Sequence, residues 1–214
     1  EAKTFEDTLQ LTRSLQDMGF KQFITTPHII QHVWDNSHEQ IRSNAAATFT
    51  KLNQHSINVP LKVAAEYMMD DSFVTRFKSE ELLTLKDNYV LVEMSYINAP
   101  MQLYAILFDL QVAGYIPVLA HPERYLFYHK NTDEYLKLKR AGCLFQLNLL
   151  AVVGYYGESI TKIAEQLLQK GMYSYVGSDV HHTKHIESFN LKVKLKDTTP
   201  LKEIIANNQF FKLE

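Results

Sequence analysis

The chain predicts an α/β fold in which parallel strands and covering helices alternate from one end to the other and close into a barrel. Six strand-and-helix repeats follow one another with no linker and no low-complexity segment between them. Ile116 to Ala120 is a nearly continuous apolar run, as a parallel strand covered on both faces requires. A polar side chain, in turn His28, Glu66, Glu93, His121, Asn148 and Asp179, stands at the C-terminal end of each predicted strand. An open doubly wound sheet gathers ligands from the few strands beside its switch point, whereas a barrel draws them from several strands at one end.

Phe5, Leu9, Leu11, Leu15 and Met18 recur at helical spacing, with Gly19 as the stop. Residue 1 is Glu rather than Met and the chain enters this helix at once, so the natural protein is expected to extend upstream. Lys21 to Thr25 is a short strand running into Thr26-Pro27-His28. Pro27 has no N–H for a ladder and keeps the residue before it extended, which leaves His28 at the strand's exit. Ser37 with Gln40 is a capping box for a helix to about His55, whose buried stripe is Ile41, Ala45, Phe49 and Leu52. Trp34, in the loop before it, is either a lid or a plug for the end of the core.

Leu61 to Ala65 is the next strand, with Glu66 directly after it, and residues 70–86 form short helical turns. Tyr89 to Val92 leads into Glu93, a carboxylate that is costly in so apolar a setting unless a metal or a basic group meets it. Pro100 sits in the first turn of a helix that buries Leu103, Ile106, Leu107, Leu110 and Val112 and ends at Gly114. The strand from Ile116 runs into His121-Pro122-Glu123-Arg124-Tyr125. A helix from Asp133 to Arg140, stopped by Gly142, precedes a strand from Cys143 to Leu147 that ends in Asn148. A helix from Glu158 to Lys170, stopped by Gly171, precedes the strand Tyr173 to Val176, and one more helix follows around residues 200–205.

With 214 residues, 46% of them hydrophobic, the chain suits one globular domain spanning 1–214. A formal charge of -2 leaves no electrostatic footprint for nucleic acid or an anionic membrane, and no apolar run reaches the ~18 residues of a spanning helix. Cys143 is the only cysteine, which excludes an intramolecular disulfide and fits a reducing cytoplasm. Leu149 stands where a thiolate phosphatase loop needs arginine, so that chemistry is absent.

His28, Glu66, Glu93, His121, Asp179 and His181 make a mixed nitrogen and oxygen donor set without sulfur, suited to manganese, iron or zinc. On an extended backbone Asp179 and His181 point to one side and can share an ion, although an Asp-x-His of this kind is as readily a helix cap followed by surface histidines. Three carboxylates allow one to bridge two ions, and ions about 3.5 to 4 Å apart can activate water while clamping a phosphoryl group. Arg124 offers a guanidinium fork for that phosphate, or else is a surface arginine paired with Glu123 or Asp133. Trp34, Tyr67, Tyr96, Tyr125, Tyr128, Tyr155 and Tyr156 stand around the same mouth, where one or two can wall an aromatic ring and the rest are packing.

Thr25-Thr26-Pro27-His28, Ala64-Ala65-Glu66-Tyr67, Val90-Leu91-Val92-Glu93-Met94-Ser95-Tyr96, Leu119-Ala120-His121-Pro122-Glu123-Arg124-Tyr125 and Gly177-Ser178-Asp179-Val180-His181-His182 resemble, in this order, the polymerase-and-histidinol-phosphatase (PHP) superfamily. Most closely they resemble its bacterial manganese-dependent tyrosine phosphatases of capsular and exopolysaccharide synthesis. The resemblance covers essentially the whole chain. It implies a distorted seven-stranded (β/α)7 barrel holding up to three Mn2+ ions, with Glu66 bridging two, Glu93 and His121 on one of these, Asp179 on the other, and His28 and His181 on the third. Arg124 would hold the phosphate of a phosphotyrosyl protein, hydrolysed without a phosphoenzyme, and the implied partner is a tyrosine kinase of polysaccharide assembly.

Two departures from the family pattern stand out. The family opens with a strand ending in His-x-His and a nearby Asp, and this chain begins just after it, so one strand of seven and its ligands are absent from the sequence. Family members carry an arginine shortly after the position of His181, where this chain has Lys184, a charge without a fork and a candidate second phosphate contact. Histidinol phosphate hydrolysis and a catalytically inactive scaffold barrel are the competing readings, while a nuclease is disfavoured by the lack of a basic groove.

Overall fold

The structure, a computed structural model, describes residues 4–213, so the expected domain bounds at 1 and 214 lie outside the described residues. Thr4 caps α1 (Phe5–Asp17): its hydroxyl accepts the Asp7 N–H at 3.1 Å while the Asp7 carboxylate accepts the Thr4 N–H at 3.0 Å. Leu11 and Leu15 are buried, and Gly19 at φ 98° turns the chain out of the helix.

The first two strands are each made in two pieces. β1 (Phe23–Thr25) pairs in parallel with β3 (Leu61–Val63), and β2 (His28–Ile29) pairs in parallel with β4 (Glu66–Met68). The register Thr25 to Val63 carries on unchanged as His28 to Glu66. Pro27 is therefore an interruption rather than the expected end. It cannot donate to the ladder, but its carbonyl still accepts the Glu66 N–H at 3.0 Å, and the pairing resumes. His28 and Glu66 lie in resumed strand, not beyond a strand's exit.

β5 (Tyr89–Glu93), β6 (Ile116–Ala120), β7 (Leu144–Asn148) and β8 (Tyr175–Gly177) follow, and the six-stranded sheet runs β2-β4-β5-β6-β7-β8, every pair parallel and the order that of the chain. A parallel sheet whose order never reverses carries its right-handed crossovers on one side. Those crossovers are α2 (His38–Gln54), α3 (Asp71–Ser79), α4 (Leu103–Val112), α5 (Asp133–Arg140) and α7 (Glu158–Gln169); α6 (Leu149–Val152), α8 (Thr183–Ser188) and α9 (Thr199–Asn207) complete the helices.

Period-two alternation sorts the strand residues into two sets. Ile29, Tyr67, Val90, Val92, Leu119, Phe145, Leu147 and Val176 pack with the helices in the main core. Ala64, Leu91, Val118, Ala120 and Tyr175 point the other way and pack with Leu85 and Phe211 in a smaller inner core. His28, Glu66 and Glu93 share the parity of this inner set, and so form the polar layer at the C-terminal end of an apolar interior. Among the described residues no ladder joins β8 to β1 or β2. A groove of about 460 Å³ lies among α1, α2, β1 and the turn after β8, lined by residues such as Leu11, Ile24, Pro27, Leu52, Val180 and His181.

Three local expectations need correction. Phe49 is 41% exposed, because α2 meets the core through Ile41 near its start and Leu52 near its end. Val112, on the last turn of α4, is also exposed, and Pro100 lies in a turn before that helix, its carbonyl accepting the Leu103 N–H at 3.1 Å. α6 was not foreseen. No helix among the described residues is long and apolar enough to cross a membrane.

Candidate metal centre

Two groups of side chains meet above the inner core. In the first, β2 presents His28, β4 presents Glu66 and β5 ends on Glu93; one ligand atom from each lies within 4.8 Å of the other two. His28 Nδ1 is 2.7 Å from a Glu93 oxygen and 3.7 Å from Glu66, and His121 Nε2 is 3.1 Å from the other Glu66 oxygen. His121 reaches them because it follows β6 in the left-handed region, at φ 39° and ψ 53°, before a 3-10 turn at Pro122–Arg124. A non-glycine there is strained, and such strain gathers at functional sites.

The second group is Arg124, Asn148, Asp179 and His181. Asp179 is also left-handed, at φ 49°, so the two side chains reach one side by a turn rather than by the extended backbone expected from sequence, Asp179 Oδ1 lying 3.6 Å from His181 Nδ1. His181 Nδ1 also lies 2.8 Å from the Asp179 carbonyl, to which it donates, leaving the Nε2 lone pair for a ligand. Arg124 donates to Asp179 Oδ2 at 3.2 Å, and Asn148 Nδ2 donates to the same oxygen at 2.6 Å. The His28 and His181 rings stack at 6.0 Å and join the two groups.

Several contacts went unread in the sequence. The Arg124 guanidinium lies between the Tyr96 ring at 4.7 Å and the Tyr156 ring at 4.2 Å, a cation–π sandwich that aims it at Asp179 rather than at Glu123 or Asp133. Tyr96 also stacks on His121, and half-exposed Trp34 stacks on His28 at 5.2 Å. Tyr67, Tyr125 and Tyr128 are buried packing residues. Glu123 is fully buried and accepts the Asn148 N–H and the Tyr173 hydroxyl, both at 2.9 Å. Lys184 is exposed in the first turn of α8. Cys143 is buried and its thiol is pushed up to about 12 by that burial, which removes it as a nucleophile.

A family model described as capsular polysaccharide synthesis, CpsB/CapC, matches residues 1–192. The chain belongs to the CpsB/CapC family. The tyrosine-protein phosphatase YwqE of Bacillus subtilis (strain 168) is 26% identical over 179 residues, which are 83% of this chain and 70% of that protein. The tyrosine-protein phosphatase CpsB of Streptococcus pneumoniae is 24% identical over 186 residues, 84% of this chain and 76% of that protein. The fold superposes with a TM-score of 0.80 and 26% identity on a chain from the crystal structures of YwqE and CpsB, described as unique metal-dependent tyrosine phosphatases; the match covers 87% of this chain and 78% of that one.

In this CpsB/CapC chain the donors fit a metal. Glu66 and Glu93 are buried side by side with imidazoles as their partners, and His121 Nδ1 is buried with no hydrogen-bond partner. A divalent ion among these carboxylates would neutralise them and meet His121 Nε2, the ring nitrogen that faces Glu66. Burial raises Glu66, helped by the charge of Glu93 and opposed by the hydrogen bond of His121. Burial likewise raises Glu123. For His121 burial works the other way, but the bond and charge of Glu66 outweigh it and hold the imidazole above its ordinary value.

Each raised value means that the folded chain, stripped of metal, binds more protons than the unfolded one, so stability present at low pH is lost as pH rises through it. Burial lowers His185 to about 4, with the opposite sign, but only below the ordinary 6.5. Above that pH no lowered imidazole opposes the raised groups, only the lowered amines of Lys62 and Lys139, each depressed first by burial. In chelator the melting temperature is expected to fall as pH rises above the ordinary 6.5 of His121, and a divalent ion that competes with those protons to restore it most at the alkaline end. A flat or rising profile in chelator refutes the buried-proton assignment.

Proposed function

We propose that this chain hydrolyses phosphotyrosine in proteins at a manganese centre held by His28, Glu66, Glu93, His121, Asp179 and His181. Membership of the CpsB/CapC family supports the reaction class. The observation that carries the site is the placement of Arg124, a guanidinium fork between two tyrosine rings beside Asp179, next to the buried carboxylate and imidazole cluster. Bound ions supply water activation and positive charge against the phosphoryl oxygens. Arg124 turns its fork from Asp179 to the phosphate, and Tyr96 and Tyr156 keep that fork flat and aimed. Tyr96 is exposed beside that fork, and its free edge can meet a tyrosyl ring, which favours an aryl over an alkyl phosphate.

Glu66, with one oxygen toward His28 and one toward His121, would bridge two ions; Glu93 and His121 would hold one of these and Asp179 the other, and His28 and His181 would hold a third. Lys184 adds positive charge at the rim as a second phosphate contact. A further strand between β8 and the β1-β2 edge would close the sheet into a barrel. The substrate is the tyrosine-phosphorylated tail of a kinase that controls polysaccharide assembly, met in the cytoplasm.

The deciding experiment is phosphate release from a phosphotyrosyl peptide by the protein containing this domain, stripped of metal and titrated with Mn2+, beside phosphoserine peptide and histidinol phosphate. Manganese-dependent release from the phosphotyrosyl peptide alone is expected. Preferential release from histidinol phosphate would replace the substrate, and no release at any ion concentration would sink the reaction.

A further inference from the structure

Asp179 has two oxygens and three close neighbours. Oδ2 takes both the Asn148 amide at 2.6 Å and Arg124 at 3.2 Å, while Oδ1 lies 3.6 Å from His181 Nδ1, on the side of the imidazoles. Asn148 cannot turn. Its Oδ1 accepts the Leu150 N–H at 2.9 Å at the start of α6, and since a backbone N–H can only donate, this bond fixes which end of the amide faces Asp179. The same Nδ2 lies 3.1 Å from the Tyr156 hydroxyl, and the Asn148 backbone N–H is tied to Glu123. Glu123 is itself fully buried and held by Tyr173. One asparagine thus links a buried anchor to both the candidate metal carboxylate and a ring of the arginine sandwich.

We propose that Asn148 is a positioning residue that keeps the Asp179 carboxylate in place when Arg124 leaves it for phosphate, an inference that rests on the metallophosphatase reading above. Arg124 has two calls on its fork. While it holds Asp179 it is not free for a phosphoryl group, and once it turns away only the amide of Asn148 restrains Oδ2. Oδ1 then stays presented to an ion throughout the exchange. Partners of this kind set ligand orientation, and their loss costs about 10- to 100-fold in metal affinity.

Asn148 also caps α6, so its metal role has to be separated from a structural one. Asp caps a helix start as well as Asn does. Asn148→Asp therefore keeps the Leu150 bond but replaces the donor facing Asp179 with a second carboxylate. Mn2+ binding is measured by titration calorimetry on metal-stripped wild type, Asn148→Asp and Asn148→Ala, with thermal melting in chelator alongside. The expected result is Mn2+ affinity down about 10- to 100-fold in both variants, with Asn148→Asp melting below wild type in chelator because its new carboxylate is buried against Asp179 although the cap is kept. Unchanged or tighter Mn2+ binding by Asn148→Asp overturns the proposal and leaves Asn148 a helix cap. Wild type that binds no Mn2+ overturns the metallophosphatase reading itself, and with it this inference.

Discussion

Glu66→Gln is expected to lower manganese-dependent phosphate release by at least about 1000-fold while leaving the fold in place, the largest effect of any single substitution in the site. Glu66 and Glu93 each reach both imidazoles of the buried cluster, Glu66 with one oxygen 3.7 Å from His28 and the other 3.1 Å from His121, the shortest carboxylate contact that His121 makes. Glutamine matches it in volume and parity but brings a neutral amide, which cannot neutralise an ion and turns two hydrogens toward groups that need an acceptor. The stability response runs the other way. In chelator the wild-type carboxyl is a buried group beside another carboxylate, so removing its charge is expected to leave melting unchanged or to raise it. In Mn2+ the variant should lack the stabilisation that the ion gives wild type. Phosphate release and two melting curves check this, and retained manganese-dependent turnover would take Glu66 out of the centre.

Arg124→Ala is expected to lower kcat/KM for a phosphotyrosyl peptide by about 100- to 1000-fold with Mn2+ affinity within a few-fold of wild type. The guanidinium is held flat by two rings and bonded to a carboxylate, an arrangement that delivers a fork rather than a point charge. Arg124→Lys keeps the charge and loses the fork, so it should recover only a small part of the rate. If lysine restored full activity, charge alone would suffice and the sandwich by Tyr96 and Tyr156 would have no part in recognition. Loss of Mn2+ binding equal to the loss of rate would instead make Arg124 a support for Asp179 and not a phosphate contact.

The strand-end carboxylates and imidazoles were legible because barrel architecture and metal chemistry ask for the same thing, polar donors at one end of apolar runs. Glu93 could be found from its cost alone, an acid at the end of Val90-Leu91-Val92. The split strands were not legible, since a proline reads as a terminator from its missing N–H and its surviving carbonyl acts only once a partner strand lies alongside. Nor was the geometry of Asp179: an aspartate carries no mark of a left-handed backbone, and the extended spacing rule failed there. Asn148 was visible as a strand-end polar residue, but what its amide holds depends on that same turn. The sandwich on Arg124 joins residues from three separate loops, which no local period connects. Phe49 and Val112 were misassigned because helical periodicity gives the angle of a stripe and not how far along the helix its neighbour reaches.

The uninterrupted register across Pro27 makes the first two strands a parity device. Glu66 faces inward, and Tyr67 faces the helices, only because the step from Leu61 counts to the right remainder on a period of two. One residue deleted between positions 61 and 66 would turn the carboxylate out into the hydrocarbon layer and bring the phenol of Tyr67 into its place, and one inserted there would put Ala65 in it. Insertions in the loops beyond the strands face no such rule. Length drift among descendants of this chain is therefore expected to collect in loops such as residues 30–37 and 95–102, while the spacing inside the paired strands changes by two residues or not at all.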